Sequence, residues 1–171
     1  MADAPHHGMR EFTIRLVPLT QPESFSASLR GRGVRGQDFY LHHRVAVDAD
    51  GIQPGPWDRQ CVLGFVVPKR LCKQAVRRNL IRRVMREALR EVMRRDDLSW
   101  TGPTPVLVLK LTRKLPDSFV SANSRSLMQY VRTQIQQLLR QYRERTLREA
   151  SADSASASFA NAKIYTSHSP Q

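Results

Sequence analysis

Residues 69–95, KRLCKQAVRRNLIRRVMREALREVMRR, hold eleven Lys or Arg against two carboxylates, a local net charge of +9, and still keep helical apolar periodicity. At 3.6 residues per turn, Leu71, Ala75, Leu80, Ile81, Val84, Met85, Ala88, Leu89, Val92 and Met93 fall on one broad arc able to bury. Arg82, Arg86, Arg90 and Arg94 recur every four residues with Arg83 beside them, so the same helix presents an arginine ridge outward. Charge runs are usually solvated helix faces, but such faces mix signs for pairing, and here only Glu87 and Glu91 oppose the cations. Like charges crowded on one helix repel unless a polyanion compensates them. The stretch therefore reads as a core-packed helix that binds RNA.

On its N-terminal side, QCVLGFVV at 60–67 is β-branched and aromatic and is stopped by Pro68, the pattern of a buried strand. After Trp100, Thr101, Gly102 and Pro103, the run PVLVLKL at 105–111 predicts another. Earlier, at 38–47, Phe39, Leu41, Val45 and Val47 alternate with Tyr40, His42, Arg44 and Ala46, which predicts a strand with one buried face. Gln21-Pro22-Glu23-Ser24 starts a short helix carrying Phe25 and Leu29, ended by the glycines at 31–36. Asp117 or Ser118 is the expected cap of a final helix in which Leu127, Met128, Val131, Ile135, Leu138, Leu139 and Tyr142 share a face. Residues 1–20 lack sustained periodicity and read as a flexible arm, 21–147 as the domain, and 148–171, rich in Ser and Ala, as a disordered tail. The expected order is helix, strands, long basic helix, strand, helix: a small α+β sandwich.

The whole chain has 171 residues, a net charge of +13 and 40% hydrophobic residues, enough for one domain with a genuine core. Its cations are 23 Arg and 5 Lys, and the planar guanidinium fork suits phosphate oxygens better than an ammonium point charge. Cys61 and Cys72 form no CxxC pair, which argues against a disulfide framework or a zinc knuckle and for a reducing cytoplasm. Neither a signal-like segment nor an apolar run of membrane-spanning length is present, so a soluble protein with no membrane partner is expected.

Other constellations are weak. GRGVRG at 31–36 matches GxGxxG, but a helical segment precedes it and a strand follows, the reverse of a dinucleotide fold, leaving Arg32 and Arg35 as candidate phosphate ligands. Asp48-Ala49-Asp50-Gly51 opens like a calcium loop but lacks its later ligands, so a turn is expected. His42 and His43 face opposite ways on a strand, which disfavours a metal site with Cys61 and Cys72. A nuclease acting by itself needs carboxylates for metals or a histidine pair, and the nearest acids to the ridge, Asp96 and Asp97, read as a helix end. A bZIP reader would continue into leucine heptads, and a membrane-surface helix would carry bulky aromatics on its apolar face.

The segment 64–89 resembles the protein subunit of bacterial ribonuclease P. That family has a strand ending in a K-K pair, a helix with R-N-R-I-K-R, and an R-E-A-F-like end. Here stand Gly64-Phe65-Val66-Val67-Pro68-Lys69-Arg70, then Arg78-Asn79-Leu80-Ile81-Arg82-Arg83, then Arg86-Glu87-Ala88-Leu89. The likeness extends over the core, from Phe25 through the 39–42 strand to residues 105–142. It implies an αβββαβα fold like ribosomal protein S5 domain 2, with a left-handed βαβ crossover against the general rule. It also implies a division of labour: the catalytic RNA subunit and Mg2+, held mainly by that RNA, cleave precursor tRNA, while the protein binds the ribonuclease P RNA and the substrate's 5′ leader. No catalytic side chain or metal ligand in the protein is expected, and the protein is expected to be monomeric apart from the RNA.

By motif position, Lys69, Arg70, Lys73, Arg77, Arg78, Asn79, Arg82, Arg83, Arg86 and Arg90 are the expected RNA-binding residues. Phe25, Tyr40 and His42 are the expected leader cleft, where aromatic faces stack unpaired bases whatever their identity. Three departures stand out. Leu80 replaces the third residue of the R-N-R triplet, so the interaction made there is absent or moved to Arg77; Leu29 stands where a second first-helix aromatic is common; His42 stands where an aromatic is usual. The alternative from another class is a ribosomal or chaperone-like RNA-binding protein using the same helix.

Overall fold

The structure is a computed structural model that describes residues 14–50, 59–95, 104–116, 118–119 and 125–165. Its elements are β1 (Ile14–Pro18), α1 (Pro22–Arg30), β2 (Gly33–Arg35), β3 (Phe39–Val45), β4 (Arg59–Val66), α2 (Ala75–Arg95), β5 (Pro105–Leu111) and α3 (Arg125–Tyr165). After β1 this is the αβββαβα order. The strands form one sheet in the order β1-β4-β5-β3-β2. β5 runs parallel to β4 and antiparallel to β3, and β4-α2-β5 is a parallel βαβ unit.

Burial on both faces makes this a three-layer arrangement. Leu41, Leu63, Leu107, Leu109 and Leu111 cluster with Ile81, Met85, Leu89, Val131, Ile135 and Leu138, so α2 and α3 cover one face. Val62, Val106 and Val108 meet Leu19, Phe25 and Leu29, so the short α1 covers part of the other. Strand alternation sorts these sets, because neighbours along a strand point to opposite faces. That is why 60–67 and 105–111 read as nearly continuous apolar runs.

Five expectations need correction. Residues 14–18, assigned to the arm, form the edge strand β1, parallel to β4, with Leu16 paired to Cys61. Pro18 disguised it, yet an edge strand tolerates a proline. The Gly31–Gly36 connection contains β2, whose Val34 is buried and pairs with Leu41. The basic stretch is not helical from Lys69: Leu71 and Cys72 donate backbone hydrogen bonds to the Pro68 carbonyl (3.0 and 3.1 Å), closing a turn before α2 begins at Ala75, whose side chain is exposed.

The last helix begins at Arg125, so Ser118 does not cap it, while Asp117 lies outside the described residues; the helix continues to Tyr165 through residues assigned to a disordered tail. Its 41 residues contain neither Gly nor Pro, and alanine, the best helix former, is frequent near its end. Composition unsuited to a core is not composition unsuited to a helix. Side chains beyond Ser151, and residues 1–13 and 166–171, lie outside the described residues.

Candidate nucleic-acid interface

On α2, Asn79, Arg83, Arg86, Arg90 and Arg94 are exposed, and Arg77, Arg78 and Arg82 are half-exposed. Ile81, Val84, Met85, Ala88 and Leu89 are buried beneath them, so the helix carries both roles read from its periodicity. Its two carboxylates are occupied, Glu87 by Arg83 at 3.7 Å and Glu91 by Arg132 of α3 at 3.6 Å. Arg86 lies 5.6 Å from the centroid of the Phe65 ring, within cation–π range. Arg82 donates to Asn79 Oδ1 (3.1 Å).

Arg78 turns back on the chain: its guanidinium donates to the carbonyls of Cys72 (3.1 Å) and Lys73 (2.6 Å). It thereby shapes the turn that displays the exposed Lys69, Arg70 and Lys73. Leu80 is buried, so the position that departs from the triplet joins the core. Beside it, Arg77 keeps a buried Nε with no hydrogen-bond partner among the described residues.

The three leader candidates share the α1 face. Strand register places Gly64, Val108, His42 and Gly33 in one row and Val66, Lys110, Tyr40 and Arg35 in the next. Phe25 reaches this floor only because residue 64 lacks a side chain: a Cβ there would stand 2.8 Å from Phe25 Cζ and 3.0 Å from Val108 Cγ2. Likewise Tyr40 lies over Gly33, where a Cβ would meet its ring at 2.2 Å. The Tyr40 and His42 rings are 4.4 Å apart, tilted by 43°.

Tyr40 and Phe25 are partly open, but His42 is only 8% exposed and so forms floor rather than stacking surface. Burial is the main cause lowering the His42 pKa; its hydrogen bond to Gly31 opposes this, while Lys110 and His43 reinforce it. A neutral imidazole results at pH 7. Sequence reading missed Lys110. Its signal was a single lysine breaking an apolar strand, which marks where the covered face opens.

Arg44, on the same face, faces inward. Its guanidinium forms a two-point pair with Asp50 (2.7 and 2.5 Å) and donates to Ser28 Oγ (2.8 Å) and the Ser24 carbonyl (3.3 Å). Asp50 closes the 3-10 turn Asp48–Asp50, accepts the Val47 N–H (2.8 Å), and has no side-chain exposure. The Arg44 hydrogen bonds hold its carboxyl well below the usual range. Residues Asp48–Asp50 thus supply a turn and an anchor for α1, whose N-terminus has no side-chain cap.

His43 points to the other face, 4.8 Å from the Tyr142 ring, so the adjacent histidines do not converge. Among the described residues no group of three His, Cys, Asp or Glu is placed to hold a metal ion, and no helix is long and apolar enough to cross a membrane. Cys61 is buried, which pushes its thiol pKa up and leaves it a poor nucleophile. Asp96 and Asp97 lie outside the described residues.

The family model described as Ribonuclease P matches residues 15–143. The ribonuclease P protein components of Bordetella parapertussis and Bordetella bronchiseptica are each 37% identical to the chain over 109 residues, covering 63% of this chain and 80% of theirs. The Staphylococcus aureus RNase P protein aligns with a TM-score of 0.49 at 17% identity, over 72% of this chain and 92% of its own. The span matched by the family model runs from β1 into α3, taking in the arginine ridge and the Phe25–Tyr40 face, and by that match the chain belongs to the ribonuclease P protein family.

Proposed function

We infer that the chain is the protein subunit of ribonuclease P, the endoribonuclease complex that removes the 5′ leader of precursor tRNA. The observation that carries the assignment of surfaces is their separation. A polar arginine ridge stands on the helix covering one side of the sheet, and a partly open aromatic face with Lys110 and Arg35 stands on the other. Two RNA segments can therefore be engaged at once. On this reading Lys69, Arg70, Lys73, Arg77, Asn79, Arg82, Arg83, Arg86 and Arg90 bind the catalytic RNA, with Arg78 holding the turn among them. Phe25 and Tyr40 stack leader bases above a floor containing His42, and Lys110 supplies a phosphate contact. Such contacts tolerate any leader sequence, as an enzyme with many substrates requires.

The described donor set does not fit Mg2+, so the metal is assigned to the RNA subunit, and no protein side chain is given a chemical step. The test is precursor tRNA cleavage at low magnesium with protein alone, a ribonuclease P RNA alone, and both. Cleavage at the mature 5′ end in the mixture alone supports the reading. Cleavage by protein alone overturns it, and absence of stimulation of the cognate RNA by folded protein moves the assignment to another structured RNA.

A further inference from the structure

Neither surface uses the end of the sheet at which β3 stops. Helix α3 runs along β3 from start to finish: the Tyr130 hydroxyl donates to Asp38 just before the strand, and the Tyr142 ring meets His43 near its end. Thr146 and Glu149, one and two turns further along, therefore lie level with the last pair of the sheet, Val45 and Pro105, or beyond it. Helix and sheet enclose a cleft of about 470 Å3 between them. Val45 is on the face that α3 covers further up the strand, yet it is 51% exposed, so the helix stands off the sheet here instead of packing on it.

The charges around this cleft do not cancel. The His43 backbone N–H donates to the Arg32 carbonyl (3.0 Å), which sets Arg32 beside His43 at the mouth, with its side chain exposed. Arg44, which also borders the cleft, is matched by Asp50, and Arg145 pairs with Glu149 at 3.0 Å. The Arg145 hydrogen bond is the main cause holding the Glu149 carboxyl below its usual range, and Arg32 adds to it. Burial chiefly lowers the His43 pKa, and Arg145 and Arg32 lower it further against the opposing Glu149, so the imidazole is neutral at pH 7. Arg32 is thus the cation in excess. The His43 Nε2 is buried with no hydrogen-bond partner among the described residues, an uncommon state for a buried polar atom, so no bond through it fixes the ring.

An apolar floor, a neutral polar edge and one surplus cation at the mouth match a nucleotide, a planar base of low charge joined to a single phosphate. The volume falls within the range of about 300–1,000 Å3 typical of small-molecule clefts. The cleft opens on the side of the sheet covered by α2 and α3, which carries the arginine ridge, and not on the face of Phe25 and Tyr40. A nucleotide reaching it therefore belongs to the RNA held on the ridge. Unpaired bases splayed out of structured RNA are the usual targets of such recognition.

We propose that the cleft between the end of β3 and α3 is a nucleotide-binding site, in which one unpaired nucleotide of the RNA subunit lodges its base against Val45, Pro105 and Thr146 and its phosphate on Arg32. The proposal rests on the subunit reading above. Two measurements test it. The isotope-labelled protein alone is titrated with 5′-AMP, 5′-GMP and inorganic phosphate to millimolar concentration and followed by amide NMR. Assembly with the cognate RNA subunit is measured for wild type, Arg32→Ala and Val45→Trp, the last filling the cleft without changing its charge. Both positions are exposed, so thermal stability should hold. The nucleotides are expected to give saturable shifts at Arg32, His43, Val45 and Thr146 that phosphate does not reproduce and Val45→Trp abolishes. Both variants should assemble several-fold more weakly, while the ratio of leader-bearing to leaderless tRNA affinity in the assembled holoenzyme holds.

Absence of saturable shifts at those four positions overturns the proposal, and so does their reproduction by phosphate, which would make the site one for an anion alone. Assembly of Val45→Trp with wild-type affinity overturns it as well, because a filled cleft would then cost the RNA nothing. Failure of the wild-type protein to assemble with its cognate RNA overturns the subunit reading instead, and is told apart because the nucleotide titration needs no RNA.

Discussion

Cutting the link between Arg44 and Asp50 should unfasten α1 and cost more than its position near the surface suggests. In Arg44→Ala the Asp50 carboxylate, with no side-chain exposure, keeps the Val47 N–H and loses both guanidinium bonds, while Ser28 Oγ loses its donor. Removing one partner of a buried pair costs about 3–5 kcal/mol because the remaining charge is uncompensated. Arg44 retains 17% side-chain exposure, and water can partly replace it, so the lower end, about 3 kcal/mol, is expected. For a domain of this size that corresponds to a fall in Tm of about 6–12 °C. Asp50→Asn should cost less, since the guanidinium left without its counter-charge keeps 17% side-chain exposure and its hydrogen bonds to Ser28 Oγ and the Ser24 carbonyl, and Arg44→Met/Asp50→Leu should recover much of the loss.

The pair also sets a pH dependence. The Asp50 pKa is depressed in the folded protein, so its stabilisation is complete above the ordinary value of 3.8 and is lost as the pH falls below it toward the folded value. Thermal unfolding of wild type and variants at pH 7, 5 and 3 checks this: the Arg44→Ala deficit should be largest at pH 7 and shrink at pH 3. A Tm within about 2 °C of wild type at pH 7 would refute the argument. A double variant no better than Arg44→Ala would do the same. Because Phe25 follows Ser24 on α1, the single variant should also lose affinity for leader-bearing substrate at temperatures where it remains folded.

Gly64→Ala places a Cβ 2.8 Å from Phe25 Cζ and should cost about 1–3 kcal/mol while raising KM for precursor tRNA with a leader; unchanged unfolding and KM would mean Phe25 does not pack there. Arg86→Ala and Arg82→Ala should weaken assembly with the RNA subunit, most visibly at high salt, with little change in Tm, because Arg86 is exposed and Arg82 half-exposed; a large Tm loss would assign these side chains to the fold. His42 has a folded pKa below 6.5, so its contribution to stability should be complete above that value and decline as the pH falls below it; His42→Phe should flatten that part of the pH–Tm profile, and an unaltered profile would exclude His42 as the source.

Helix α2 was legible because its two demands, burial and charge, fall on different faces at one period, and the structure keeps Ile81 and Met85 inside and Arg86 and Arg90 outside. β4 and β5 were legible because both faces are covered, which leaves an apolar run. β1 and β2 were not: each is short, and pairing with β4 or β3 rather than its own pattern makes it a strand. Tyr40 and His42 were found by alternation and resemblance, but the difference between them, one partly open and one covered, depends on α1 lying across the sheet and is not written in either residue. The Arg44–Asp50 clamp was invisible for a similar reason. Its charges were in plain view, but Ser24 and Ser28 become its acceptors only when α1 docks. Lys110 owes its surroundings to the parallel register of β4 and β5.

The strand order has a consequence for how the chain is made. β5, the central strand, pairs with β4 and β3, whose partner residues lie more than forty positions earlier, and it is the last strand to be synthesised. Until residue 111 clears the ribosome, β3 and β4 have no strand between them, and the leucines and valines destined for both layers wait without a template. The fold is therefore completed late and across long sequence separations, which is the slow regime for small domains. During that interval the nascent chain carries an exposed apolar strand beside a strongly cationic helix, emerging next to ribosomal RNA. The strand that closes the sheet also ends that exposure.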